Sequence, residues 1–112
     1  MKKVQAIVRE DRLDAIIERL MMLGVRGLTI GMARGAGRTS GHREVFRGSA
    51  YNVDFVEKVV IEWVGPDDEA DGVVRAIQLR AATGKVGDGK IFVQPVIEAV
   101  RISTGERGET AV

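Results

Sequence analysis

The chain has 112 residues, 45% of them hydrophobic and 29% charged, with 14 Gly, one His and no Cys. That length fits one domain, and the balance is too apolar for a disordered chain. The formal net charge is +1, which argues against a coat for nucleic acid or an anionic membrane surface. Without Cys there is no disulfide framework, thiolate metal site or Cys nucleophile, and one His cannot build a multi-histidine metal centre. The first residues, MKKVQAIVRED, carry too short an apolar stretch for a signal peptide, and no run of about 18 apolar residues spans a membrane. A cytoplasmic protein is expected.

Residues 2–9 alternate, with Val4, Ala6 and Val8 on one face and Lys3, Gln5, Ile7 and Arg9 on the other, which predicts a strand. Asp11 is placed to cap a helix whose stripe is Leu13, Ile16, Ile17, Leu20 and Leu23, closed by Gly24. Residues 25–34 alternate again and predict a second strand. From Gly35 to Asp54 the chain turns glycine-rich and loses periodicity. A structureless stretch of that length is usually functional. Residues 55–64 are apolar and β-branched, a third strand.

Gly65-Pro66-Asp67-Asp68 leads into a helix with the stripe Ala70, Val73, Val74, Ile77 and Ala81. Its early proline and acids suit the positive end of a helix. A second glycine-rich loop, 83–90, precedes a strand at 91–93. A short extension is expected over 96–102, followed by a polar tail. The order strand, helix, strand, strand, helix, strand predicts an α+β ferredoxin-like double βαβ sandwich (βαββαβ). Its antiparallel sheet carries two helices on one face. The other face is expected to keep apolar residues of the Ile7, Ile61, Trp63 and Val93 type, a reason for self-association.

The two glycine-rich loops are the strongest chemical signal. Backbone N–H groups beside Gly approach phosphate closely, and Lys or Arg neutralises its charge. Neither loop has the order of a P-loop or of a dinucleotide fingerprint, so residue chemistry leaves anion binding and plain turn chemistry both open. Arg34, Arg38, Arg43 and Arg47 fall within 14 residues, either a solvated loop or an anion- or partner-docking element. No nucleophile–base constellation is present. A small ferredoxin-like phosphate-ester or acyl-phosphate hydrolase is the alternative reading.

Three segments narrow these options. They are Gly41-His42-Arg43-Glu44 with Arg47-Gly48-Ser49-Ala50-Tyr51, then Thr83-Gly84-Lys85-Val86-Gly87-Asp88-Gly89-Lys90-Ile91-Phe92-Val93, then Arg101-Ile102-Ser103-Thr104-Gly105-Glu106-Arg107-Gly108-Glu109. Together, in this order and spacing, they resemble the PII nitrogen-regulatory signal-transduction proteins over essentially all of residues 1–112. The resemblance implies a single PII-like domain with a T-loop at about 37–54, a B-loop at about 83–90 and a C-loop at about 101–112. It implies a homotrimer that senses ATP and ADP in clefts between subunits, with Mg²⁺ and 2-oxoglutarate beside ATP. Its targets would be an ammonium channel or an enzyme or regulator of nitrogen metabolism, docked through the T-loop. It implies a regulator and no catalytic residues.

By position, the resemblance puts Gly87, Asp88, Gly89 and Lys90 at the phosphates, with Gly35, Gly37 and Arg38 lining the cleft. Arg101, with Ser103 two residues on, comes from the neighbouring subunit. Thr29, Glu62, Val64 and Phe92 fall around adenine or ribose. Lys58 matches the 2-oxoglutarate lysine, with Thr39 and Gly41 nearby. Tyr51 matches the tyrosine modified by a uridylylating enzyme in proteobacterial members, and Ser49 a serine phosphorylated in some cyanobacteria. Arg43, Arg47 and Tyr51 are placed for target docking. The chain departs from the family at Ala36 (usually aromatic), Thr39 (usually Gln), Phe46 (Tyr), Ala50 (an acid) and Ser103 (Arg), and at Glu10-Asp11, where a Pro-containing pair is usual. Thr39 is too short to hold Mg²⁺ as Gln does, so any Mg²⁺ is expected to come with the nucleotide, not from side-chain ligands.

Overall fold

The computed structural model describes residues 1–37, 44–46, 49–51 and 54–112. Among the described residues six strands and two α-helices follow one another: β1 (Lys2–Arg9), α1 (Leu13–Met22), β2 (Thr29–Gly37), β3 (Glu44–Phe46), β4 (Ser49–Tyr51), β5 (Asp54–Gly65), α2 (Asp67–Ala81) and β6 (Gly89–Pro95). The main sheet runs in the order β2-β5-β1-β6 and is antiparallel throughout. Both helices pack together on one of its faces. This is the ferredoxin-like βαββαβ sandwich that the element order predicts. No described helix is long and apolar enough to cross a membrane.

Burial alternates along β1, with Val4, Ala6 and Val8 inside. Directly across on β5 stand Trp63, Ile61 and Val59, all buried. Against them press Ile16 and Leu20 of α1 and Ala70, Val73, Ala76, Ile77 and Ala81 of α2. Each fully buried aliphatic side chain contributes about 1.5–3 kcal/mol of transfer free energy. Helix α1 closes in a Schellman arrangement: the Val25 N–H donates to Leu20 O and the Gly24 N–H to Met21 O. Gly24 takes φ +93° there, a left-handed turn that glycine enters without Cβ strain.

Several expectations are corrected. Asp11 does not cap α1, whose N-cap Arg12 has no side-chain cap bond. Asp11 sits one turn earlier, in a 3₁₀ turn over Glu10–Arg12, and its carboxylate accepts from Arg9. Strand β2 begins at Thr29, not Val25, because the backbone of 24 and 25 is spent closing α1. It then runs on to Gly37, pairing with Asp54 of β5. Strands β3 and β4 pair antiparallel inside the glycine-rich stretch, so this stretch is not without structure. Ile61, Trp63 and Val93 lie on the helix-covered face, as their pairing with Ala6 and Val4 dictates. Residues 96–99 form no strand; Val100 and Arg107 make one isolated bridge.

Candidate functional site

The sheet face turned away from the helices carries no described helix. Antiparallel partners share a face, so the register reads as cross-strand rows. One row is Thr29, Glu62, Gln5 and Phe92; the next is Gly31, Val60, Ile7 and Lys90; the next is Ala33, Lys58 and Arg9. Glu62 and Lys58 are four residues apart on β5, about 13 Å along the strand. Of the site residues named from the sequence, Thr29, Glu62, Val64 and Phe92 thus lie toward one end of this face, Gly35 and Lys58 toward the other, and Lys90 in the row between.

At the first end, Thr29, Glu62 and Val64 line a concavity together with Lys3, Gly27, Leu28 and Val112. The Lys3 ammonium lies 2.5 Å from the Glu62 carboxylate, and the Gln5 amide donates to the same group at 3.3 Å. The bond from Lys3 holds the Glu62 carboxyl below the usual range. Glu62 therefore stays an acceptor with a fixed orientation. Phe92 belongs to the same row but on the far edge strand, 44% exposed. Lys3, Gln5 and Val112 were not among the site residues named from the sequence; the strand register places Lys3 and Gln5 beside Glu62, and the C-terminal Val112 closes the concavity.

At the other end lie Gly35, Lys58 and Gly87. Lys58 Nζ donates to Gly87 O. Lys58 and Gly87 line a concavity with Val56, Glu57, Val86, Arg9, Glu10 and Asp11. The loop 83–88 is closed by Asp88, whose carboxylate accepts from Thr83 N at 2.7 Å, Thr83 Oγ1 at 2.5 Å and Gly84 N at 3.0 Å. These bonds, the Thr83 hydroxyl first, lower the Asp88 pKa. Asp88 thus shapes the loop, and its carboxylate oxygens are engaged by the loop itself.

Gly89 has φ +110°, and a Cβ there would stand 1.8 Å from Ile7 O. Only glycine lets β6 start beside β1 at this point. Its successor Lys90 is exposed, on the open face opposite Ile7. A second crevice, lined by Val8, Val74, Gln78, Ala81, Ala82, Asp88, Gly89, Lys90 and Ile91, lies behind the loop.

Arg101 and Ser103 are exposed in the C-terminal turn. Arg101 N donates to Glu106 O at 2.9 Å, and its guanidinium reaches Thr110 O at 3.4 Å. Gly37 closes β2, and Ser49 and Tyr51 bound β4. Arg38, Thr39, Gly41, Arg43 and Arg47 lie outside the described residues. No group of three His, Cys, Asp or Glu side chains is placed to hold a metal ion among the described residues.

Comparison with known sequences adds the family. The family model described as "Nitrogen regulatory protein P-II" matches residues 1–106. Relatives of that name cover the whole chain and are covered by it in full. They are 50% identical in Cereibacter sphaeroides, 49% in Azospirillum brasilense and 48% in Haemophilus influenzae.

Proposed function

This chain belongs to the nitrogen regulatory protein P-II family, and from that membership we propose a trimeric cytoplasmic regulator that binds ATP and ADP between its subunits. The observation that carries the proposal is the division of the site. The glycine- and lysine-bearing end, Gly35, Gly87, Gly89 and Lys90, suits phosphates. The Thr29–Glu62–Val64 end, with its oriented carboxylate, suits the base and ribose. Gly35 and Lys90 share the open sheet face with Thr29, Glu62 and Val64, Gly87 and Gly89 lead into its edge strand, and an exposed Arg101 offers a further cation. A neighbouring copy would bring one end against the other.

In this reading Lys90 and Arg101 supply charge-assisted contacts to the phosphates, and the positive-φ glycines Gly87 and Gly89 let backbone donors approach. Mg²⁺ would be held through the nucleotide, since the Asp88 carboxylate is committed to its own loop. Lys58 would pair with a carboxylate of 2-oxoglutarate, exchanging its bond to Gly87 O for one to the ligand. Release of that carbonyl would loosen the 83–88 loop and link ligand to loop state. Targets would be an ammonium channel or an enzyme or regulator of nitrogen metabolism, with Tyr51 the residue for a uridylylating enzyme. The regulatory names of the relatives support a sensor over a hydrolase.

The test is calorimetric titration of ATP, with particle mass measured by light scattering. Wild type is expected to bind as a trimer. Lys90→Ala is expected to remain trimeric and lose about thirtyfold in affinity, one charged contact at roughly 2 kcal/mol. Unchanged affinity in Lys90→Ala would refute the site.

A further inference from the structure

Arg9 and Lys58 are direct cross-strand partners on β1 and β5, both half-buried on the open face. Side chains so paired have Cβ atoms about 4.5–5.5 Å apart, and like charges in that position repel. The structure relieves the repulsion by giving each cation its own acceptor. Lys58 Nζ donates to Gly87 O. The Arg9 guanidinium is held in a fork by Asp11, with Nε 3.2 Å from Oδ1 and Nη2 3.0 Å from Oδ2. All four residues line one concavity of about 710 Å³. Glu10 and Glu57 line it too, and Asp88 acts on Arg9 from the neighbouring loop.

These two acceptors differ in strength. Gly87 O is a neutral carbonyl, and a carboxylate ligand at Lys58 replaces it with a stronger bond in which donor and acceptor are both charged. Asp11 is itself a carboxylate presented in the fork geometry that arginine prefers. It occupies the Nε–Nη2 edge of the guanidinium and balances the charge that an acidic ligand between the two cations would meet.

We propose that Asp11 is a specificity-determining residue of this concavity, an internal carboxylate that competes with an organic dicarboxylate for Arg9. With Asp11 in place, the concavity offers such a ligand one available cation, Lys58. Without it, the Arg9–Lys58 pair becomes a two-cation site. The inference rests on the reading of Lys58 as a carboxylate contact.

The experiment titrates 2-oxoglutarate into the protein saturated with Mg-ATP, for wild type, Asp11→Asn, Glu10→Gln and the double variant Arg9→Gln/Asp11→Asn. ATP affinity and trimer mass serve as checks on folding. Asp11→Asn is expected to bind about tenfold more tightly, the worth of a partly exposed charged hydrogen bond. Glu10→Gln removes the same charge from the same lining without touching the fork, and is expected to change affinity less than threefold, within the surface-charge range. The double variant is expected to lose the gain. Binding by Asp11→Asn where wild type shows none would support the proposal equally. Equal binding by wild type and Asp11→Asn would overturn it while leaving the Lys58 reading intact. An equal gain in Glu10→Gln, or a gain kept in the double variant, would overturn it as well, since the effect would not run through Arg9. Absence of binding in all four, with ATP binding intact, would refute the Lys58 reading and the proposal with it.

Discussion

Replacing Gly89 by Ala tests the link between fold and site most sharply. The backbone there has φ +110°, and the new Cβ would stand 1.8 Å from Ile7 O and 2.9 Å from Ile7 C. Both neighbours are backbone of the central strand β1, so no side chain can swing aside. A positive φ alone costs on the order of 1–3 kcal/mol for a residue with a Cβ. Moving a backbone oxygen by more than an ångström adds the loss of ladder bonds at the start of β6, each worth about 1 kcal/mol. A total of at least about 4 kcal/mol is expected. Gly84 is the control, because it has φ +80° but nothing within 4 Å of its Cβ, leaving only the dihedral cost. Urea unfolding followed by the fluorescence of Trp63, the single Trp of the chain and 6% exposed in the core, reads both. The variants are compared at equal protein concentration, since an oligomer's transition depends on it. Gly89→Ala is expected to fall well below Gly84→Ala in midpoint, and to lose nucleotide binding because Lys90 follows the strand. Equal midpoints for the two variants would refute the steric argument.

Two further predictions follow from packing and electrostatics. Leu20→Ala removes a fully buried side chain where α1 meets the sheet and is expected to cost about 2–5 kcal/mol. Leu23→Ala, three residues on and 49% exposed, is expected to stay within about 0.5–1 kcal/mol of wild type by the same urea assay; comparable losses would contradict the assigned core. The Asp88 pKa is depressed by its bonds to Thr83 and Gly84, so its hold on the loop is complete above the ordinary aspartate value and is lost as pH falls through the depressed one. The amide shifts of Thr83 and Gly84 are expected to titrate together with a midpoint below the ordinary value, and a midpoint above it would contradict the bonding scheme.

Periodicity placed β1, α1, β5 and α2, because each buries a stripe or an alternate set against a single core. Register was beyond its reach. Alternation told that Ile61 and Trp63 share a face but not that this face meets the helices; their pairing with Ala6 and Val4 decides it. The ends of β2 and β6 shifted for backbone reasons. Residues 24 and 25 close α1, and β6 takes in Gly89 through a close approach that only glycine permits. Asp11 reads as a helix cap by residue type, yet its carboxylate holds Arg9, two residues back, and only the strand pairing shows that Arg9 stands across from Lys58. The turn character of the loop 83–88 was legible from its glycines and Asp88, whereas a role for Lys90 is carried by the family resemblance and stays a proposal. The flanking Lys3, Gln5 and Arg9 look like ordinary solvated residues of an alternating strand, and only the pairing places them beside Glu62 and Lys58.

In the proposed trimer each nucleotide site takes its parts from two chains. Subunit mixing tests it directly. Lys90→Ala and Arg101→Ala are each expected to bind ATP poorly as pure trimers. Unfolded together in equal amounts and refolded, they form mixed trimers in which some interfaces join an intact Lys90 to an intact Arg101. Random mixing in a cyclic trimer restores about a quarter of the sites to wild-type affinity. A calorimetric stoichiometry near that fraction is the predicted result. No recovery of tight sites in verified mixed trimers would mean that both residues serve one site within a single chain, and would contradict the account.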